Sequence, residues 1–561
     1  MGAVCREVIC IQLGQYANCV GAHWWNLQET QCSRWPDSEL CSNVQFRTGI
    51  TQNGVETYTP RLIVLDINDG VRSVQATGAL YDDEKTAQAT PAWRGKLTTH
   101  KEDPTECIGG AATQGGGAPN YGGGREMVAG GGGAILYNRG ASRQPIPRDG
   151  VWSDYLRTPL HPKSLCMLSH RNHGGVTGGL ESFSQGESLL KAASHLEEVE
   201  DRLRFFSEEC DYLQGFHILC DTHNGFSGAG AKMAELIHDE YPGRGILSFG
   251  TSPVLSEQRD LHTSMYQLMN CVMSLVALTN HSSVFCPLSL NSSFGRKPGP
   301  PVIFPQLLYD ASWQYHSSAV LAVALDTLTA PYRLTSSTLS MSQLTDTISF
   351  GGRKMLTASC SLPFPFGSSS LPDGLLPHMA SPPWRCLSAC TDDTPVFSQS
   401  VVLRGIPGQQ QIGSLPARTR PPSSLHACAS GEEVLQCYLS AACPRTLSVS
   451  HLLGSPCTLG PTFPQFFSRY ITRDGYTMEE PLTDSTVVDG VPVMAALRTS
   501  SALRLSLRAL CDEVTKMDLR RCANYSTAGI EEEEFKEVIS DLRSLAHCYQ
   551  VYEGEVSDDS D

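Results

Sequence analysis

No stretch of the chain approaches the roughly 20 apolar residues that a membrane-crossing helix needs. The nearest, Ala319 to Leu328, is short and carries Asp326, so it reads as a buried helix. The opening residues, Met1-Gly2-Ala3-Val4-Cys5-Arg6, form no charged-then-apolar leader and lack the Ser or Thr of a myristoylation signal. Any membrane contact is therefore expected to be peripheral. Positive charge is scarce too: 42 Lys and Arg stand against 58 Asp and Glu, a net charge of −16. That balance argues against a nucleic-acid binder, which needs a basic face, and against plain electrostatic adhesion to anionic lipid. The 21 cysteines are an odd number without a short framework, so reduced thiols in the cytosol are expected. Cys386, Cys390, His426 and Cys428 lack the tight paired spacing of a structural zinc site, and no metal is expected there.

What is present is a soluble globular composition, 40% hydrophobic and 18% charged, over 561 residues, enough for two or more domains. Glu7 to Ile11 and Leu62 to Asp66 read as strands of a parallel sheet buried on both faces. Leu196, Val199, Leu203, Phe206 and Cys210 recur at spacings of 3 and 4 and predict one helical face. A strand at 216–220, a helix over 230–240 stopped by Tyr241-Pro242-Gly243, and a strand at 245–249 form a strand–helix–strand unit, hence a doubly wound α/β domain. Between Gly109 and Gly133, 12 of 25 residues are glycine, too little apolar surface to fold, so a disordered insertion is expected. Residues 363–422 are rich in Pro and Ser. The last helix carries Phe535, Val538, Ile539, Leu542 and Leu545 on one face after Glu531-Glu532-Glu533-Glu534, acids that suit a helix start.

The segment Phe216-His217-Ile218-Leu219-Cys220-Asp221-Thr222-His223-Asn224-Gly225-Phe226-Ser227-Gly228-Ala229-Gly230 carries the chemistry. An apolar run gives way to a small-residue loop that opens into a helix, an order that can hold a phosphate on free N–H groups. A P-loop is excluded, because Gly230-Ala231-Lys232-Met233 lacks Ser or Thr after the lysine. A dinucleotide fingerprint is excluded by Met233 at its third glycine. A nucleophile elbow at Ser227 is nearly spelled by Gly225-Phe226-Ser227-Gly228-Ala229, but a polar tetrad separates it from its strand. His23, beside Trp24 and Trp25, reads as a packed histidine rather than a catalytic one.

The fourth loop chemistry is that of tubulin and FtsZ. Arg6-Glu7-Val8-Ile9-Cys10-Ile11-Gln12-Leu13-Gly14-Gln15 resembles the tubulin opening, Cys210 to Phe216 resembles its C-D-C-L-Q-G-F, and Asn224 to Gly230 lies over its glycine signature. Within that superfamily the chain resembles the Misato family, on Gly21-Ala22-His23-Trp24-Trp25-Asn26, Tyr58-Thr59-Pro60-Arg61-Leu62, Gly95-Lys96-Leu97-Thr98-Thr99-His100-Lys101 and Gln185-Gly186-Glu187-Ser188. The resemblance spans the chain apart from the glycine-rich insertion. It implies a tubulin/FtsZ-like α/β fold: an N-terminal doubly wound nucleotide-binding-type domain, a second α+β domain and C-terminal helices. The corresponding segments are 1–105 and 151–330 for the N-terminal domain and core helix, 106–150 for the insertion, 331–500 for the second domain, and 501–561 for the C-terminal helices and acidic tail.

The resemblance also implies a site for GTP or GDP. Gln15 and Asn18 would sit in its first phosphate loop, Asp66 and Asn68 in its second, and Gly225, Ser227, Gly228 and Gly230 in the signature loop, with Asn270 reading the nucleotide. Asn224 and Phe226 replace two leading glycines, and Phe226 is expected to add bulk where backbone should approach a phosphate. Met341 and Gln343 stand where the hydrolytic Asn and acid are expected, and Gln is no general base. These departures point away from a working GTPase. The function implied is control of mitochondrial distribution, morphology and fusion. The protein would be cytosolic, with peripheral association to the mitochondrial outer membrane and links to the cytosolic chaperonin and tubulin-related proteins.

Overall fold

A computed structural model describes residues 6–34, 38–50, 56–67, 148, 150–168, 179–254, 260–297, 299–337, 339–367, 370–391, 395–413, 421–483, 487–517 and 532–551. The glycine-rich stretch, Asn68 and the acidic tail lie outside these residues.

In chain order the first half supplies β1 (Val8–Leu13), α1 (Gln15–Arg34), a hairpin of β2 (Phe46–Ile50) and β3 (Glu56–Pro60), β4 (Leu62–Ile67), β5 (Leu165–Leu168), α2 (Phe183–Lys191), α3 (Ala193–Glu208), β6 (Gly215–Asp221), α4 (Phe226–Glu240), β7 (Gly245–Ser252), α5 (Leu261–His281), β8 (Val284–Ser289) and α6 (Gln314–Leu328). Six of these strands form one sheet in the order β5-β4-β1-β6-β7-β8. Every neighbouring pair in it is parallel. Strands buried on both faces must be apolar throughout, and β1, β6 and β8 are buried at every position. One face is covered by α2, α3, α4 and α5, whose apolar sides join Ile9, Ile11, Phe216 and Ile218 in one core.

The second half begins with α7 (Met341–Ile348), β9 (Thr357–Ser361), α8 (Leu371–Leu375), β10 (Arg385–Cys386) and β11 (Val396–Arg404). It continues with α9 (Gly431–Ala442), β12 (Leu447–Leu453), β13 (Cys457–Thr458), β14 (Gly490–Val491), β15 (Val493–Ser500), α10 (Ala502–Thr515) and α11 (Glu532–Cys548). A mixed five-stranded sheet runs β10-β9-β15-β11-β12. The helices α10 and α11 return to the first domain, where Leu503, Leu507, Ile539 and Leu542 join the core under α5.

Between the two sheets lies α6, buried from Ser317 to Leu328, with α1 on one side and β11 and β15 on the other. A helix apolar all round is an interior helix, and this is the short apolar segment that reads as a buried helix from its sequence. Among the described residues, no helix is long and apolar enough to cross a membrane. Its one acid, Asp326, is the hub of a buried network. Arg404 of β11 donates at 2.6 Å, Arg333 at 2.9 Å and the Trp24 indole at 3.2 Å. Arg333 also reaches Gln45 (3.2 Å), whose amide nitrogen faces His217 of β6 at 3.2 Å; His217 in turn bonds Tyr332 at 2.6 Å. Polar bonds thus run from the first sheet through α6 to the second.

Candidate functional site

The predicted phosphate loops converge at the carboxyl ends of β1, β4 and β6, the crevice where open α/β sheets bind ligands. β1 runs out at Leu13, and Gly14 turns the chain with φ +100° into α1. The first N–H groups of α1 face the end of β6, where Asp221 stands. Its carboxylate accepts from Tyr16 N at 3.2 Å, Ala17 N at 2.8 Å, Thr251 Oγ1 at 3.1 Å and Asn224 Nδ2 at 3.1 Å. Asp221 is fully buried. A Cβ at Gly14 would lie 2.5 Å from Asp221 Oδ2, so glycine is needed there both for its dihedral and for the approach of this carboxylate.

The second loop places Asp66 at the end of β4, accepting from Trp152 Nε1 at 2.7 Å, Ile67 N at 2.8 Å and Asn18 Nδ2 at 3.1 Å. Burial pushes its carboxyl up to about 6, against the pull of these donors. Asn18 and Asp66 are therefore brought together, whereas Gln15 is exposed on the first turn of α1 and Asn68 lies outside the described residues.

The signature loop is satisfied from within. Gly225 N donates to Leu180 O at 2.9 Å, Phe226 N to Asn224 Oδ1 at 3.0 Å, Ser227 N to Asn224 O at 3.1 Å and Gly228 N to Gly225 O at 3.1 Å. The glycines answer to backbone packing. A Cβ on Gly225 would meet Ser182 O at 2.7 Å, one on Gly228 would meet Phe183 O at 1.9 Å, and one on Gly230 would meet Cys220 Sγ at 2.2 Å. Asn270 locks the same contact: its Oδ1 accepts from Phe183 N at 2.8 Å, and its Nδ2 donates to Glu181 O at 2.7 Å and His223 O at 3.2 Å. The Ser227 hydroxyl is buried and donates to the backbone carbonyl of Asn224 at 2.6 Å, an acceptor that cannot activate a nucleophile as a general base does.

The steric reading of Phe226 is corrected. Its ring is buried in the core with α4 and α5, so Asp221, not Phe226, faces the helix start. Gln343 likewise has a local task, closing a capping box with Ser340 at the start of α7. His23 is buried, stacks on Tyr155 and is bonded to Tyr315 O at 3.1 Å, and burial pulls it down to about 3. No group of three metal-ligating side chains occurs among the described residues. The cavity beside the loop, lined by Thr222, Ser252, Gln267, Asn291 and Arg296, measures about 40 Å³, far below the roughly 300 Å³ at which ligand pockets begin. Among the described residues, the N–H groups of the α1 start and of the signature loop do not fit a phosphate: they are engaged by Asp221, by Leu180 O and by Asn224 and Gly225 of the loop.

Asp221, Thr251 and Trp152 belong to none of the motifs above. The one available signal was an acid ending a fully apolar strand, directly before a small-residue turn.

Strand order, the all-parallel sheet and a glycine loop over its carboxyl ends define a doubly wound α/β domain of the nucleotide-binding type. Residues 6–108 match the family model of the Misato segment II tubulin-like domain, and residues 148–334 match that of the tubulin domain. Protein misato homolog 1 of Bos taurus is 46% identical over 98% of this chain and 99% of its own length. The Danio rerio protein of the same name is 38% identical over the full length of both, and Protein misato of Drosophila melanogaster is 27% identical over 97% of this chain and 98% of its own. The chain belongs to the Misato family.

Proposed function

We propose that the chain is a tubulin-like scaffold that controls mitochondrial distribution, morphology and network organisation without hydrolysing nucleotide. The observation that carries this reading is the internally satisfied cradle in a member of the Misato family. A fold that closes its own phosphate site retains the shape of tubulin but not the switch that nucleotide turnover provides. The mitochondrial role comes from the family resemblance, and peripheral contact with the outer membrane is consistent with the absence of a membrane-length apolar helix among the described residues. The cytosolic chaperonin and tubulin-related proteins are the partners to be tested, and a net charge of −16 disfavours nucleic acid.

The test has two arms. Cells depleted of the endogenous protein are complemented with this chain, and mitochondrial network length and position are scored by microscopy. In parallel, nucleotide released from the purified chain is measured by mass spectrometry. Restored networks with no stoichiometric guanine nucleotide are expected. Bound GTP or GDP, with turnover per molecule rising with protein concentration, would replace the scaffold by a filament-forming GTPase.

A further inference from the structure

We propose that Asp221 is a built-in anion, occupying at the start of α1 the place of a phosphate, so that the chain completes its fold without nucleotide. The proposal deepens the scaffold reading and rests on it. Helix N-termini attract anions because their first N–H groups lack partners and the helix dipole adds partial positive charge. Here two such groups, Tyr16 N and Ala17 N, grip the two oxygens of one carboxylate at 3.2 and 2.8 Å. A hydroxyl from β7 (Thr251) and a side-chain amide from the signature loop (Asn224) complete the shell at 3.1 Å each. Four donors from three parts of the sheet edge thus converge on a fully buried carboxylate.

The surroundings are built for this one occupant. Gly14 leaves no atom between the β1 turn and the carboxylate, since any Cβ there would lie within 3 Å of Oδ2, Cγ and Cβ of Asp221. Asn224, which replaces a glycine of the tubulin pattern, supplies one of the four donors. A phosphate would have to displace Asp221, and two anions cannot share these N–H groups without strong repulsion.

Chemical rescue in the full-length chain tests this. Asp221→Ala removes a group the size of formate, and Asp221→Gly one the size of acetate. Both variants should have a lower Tm than the parent in chloride. Formate at about 50 mM should restore roughly half of the loss in the Ala variant, acetate should do so in the Gly variant, and chloride at equal ionic strength should do neither. The parent should not respond. Asp221→Asn keeps the volume and loses the charge, so it should lose stability and gain nothing from formate; it carries the test if the smaller variants fail to fold. Equal effects of formate and chloride on Asp221→Ala, or an unaltered Tm in Asp221→Asn, would overturn the assignment of Asp221 while leaving the complementation result standing. Near-stoichiometric guanine nucleotide in the parent would overturn both readings.

Discussion

Replacing Asp326 by Asn should be among the most damaging single changes in this protein. The carboxylate is buried between two arginines that are themselves buried: side-chain exposure is 4% for Asp326, 4% for Arg333 and 0% for Arg404. Burial alone would raise its pKa, but Arg333 and Arg404 more than offset that and hold it below the ordinary carboxylate range. The variant leaves two buried guanidinium ions with only neutral partners. Removing one partner of a buried pair typically costs about 3–5 kcal/mol, and the second stranded cation puts this case at the upper end. Arg404→Met differs. Asp326 keeps Arg333 and Trp24, so a one-to-one pair survives and a cost of about 2–3 kcal/mol is expected. Against a total stability of about 5–15 kcal/mol, both shifts are measurable and the first approaches unfolding. The assay is urea denaturation followed by indole fluorescence, since Trp24 donates to Asp326 and stacks on Trp25 with ring centroids 5.0 Å apart. The double variant should cost less than the sum of the singles, because it removes one stranded cation. A cost below about 1 kcal/mol for Asp326→Asn, or a larger cost for Arg404→Met, would refute the hub.

Three further outcomes are expected. Asp66→Asn should be neutral or stabilising at pH 7: its folded pKa is raised to about 6, so ionising it opposes folding by roughly 3 kcal/mol at neutral pH, an effect that fades as pH falls towards 4; Tm at pH 7 and pH 4 checks the sign. His23 and His217 have pKa values lowered by burial to about 3, so the unfolded chain gains their protons first, and stability should fall as pH drops below about 6.5, by roughly 2 kcal/mol per histidine at pH 5. His217→Gln should flatten that acid slope even if it lowers stability at pH 7. Phe226→Gly should cost about 3–5 kcal/mol through lost core burial and confer no phosphate binding in an equilibrium dialysis assay; gained binding would return the block to the aromatic ring.

Much of the architecture was legible because parallel strands and amphipathic helices write their periods into sequence. Leu196, Val199, Leu203 and Phe206 predict the buried face of α3, and Val199, Leu203 and Phe206 are fully buried there. The glycine loop was legible as a place, but the direction of the Phe226 ring was not. Phe226 is bulky wherever it points, and only packing decides that it points into the core. Asp326 was legible as a buried exception within an apolar helix, but its two arginines lie 7 and 78 residues away and no local pattern joins them.

Taken alone, the sequence determined the fold class and the family, because alternation, helical spacing and ordered motifs are local properties that survive at any separation along the chain. The occupant of the α1 start was decided by tertiary structure alone. Asp221 meets Tyr16 and Ala17 across more than 200 residues only because β6 pairs with β1 in parallel register, and that pairing turns a strand-ending acid into the anion the helix requires.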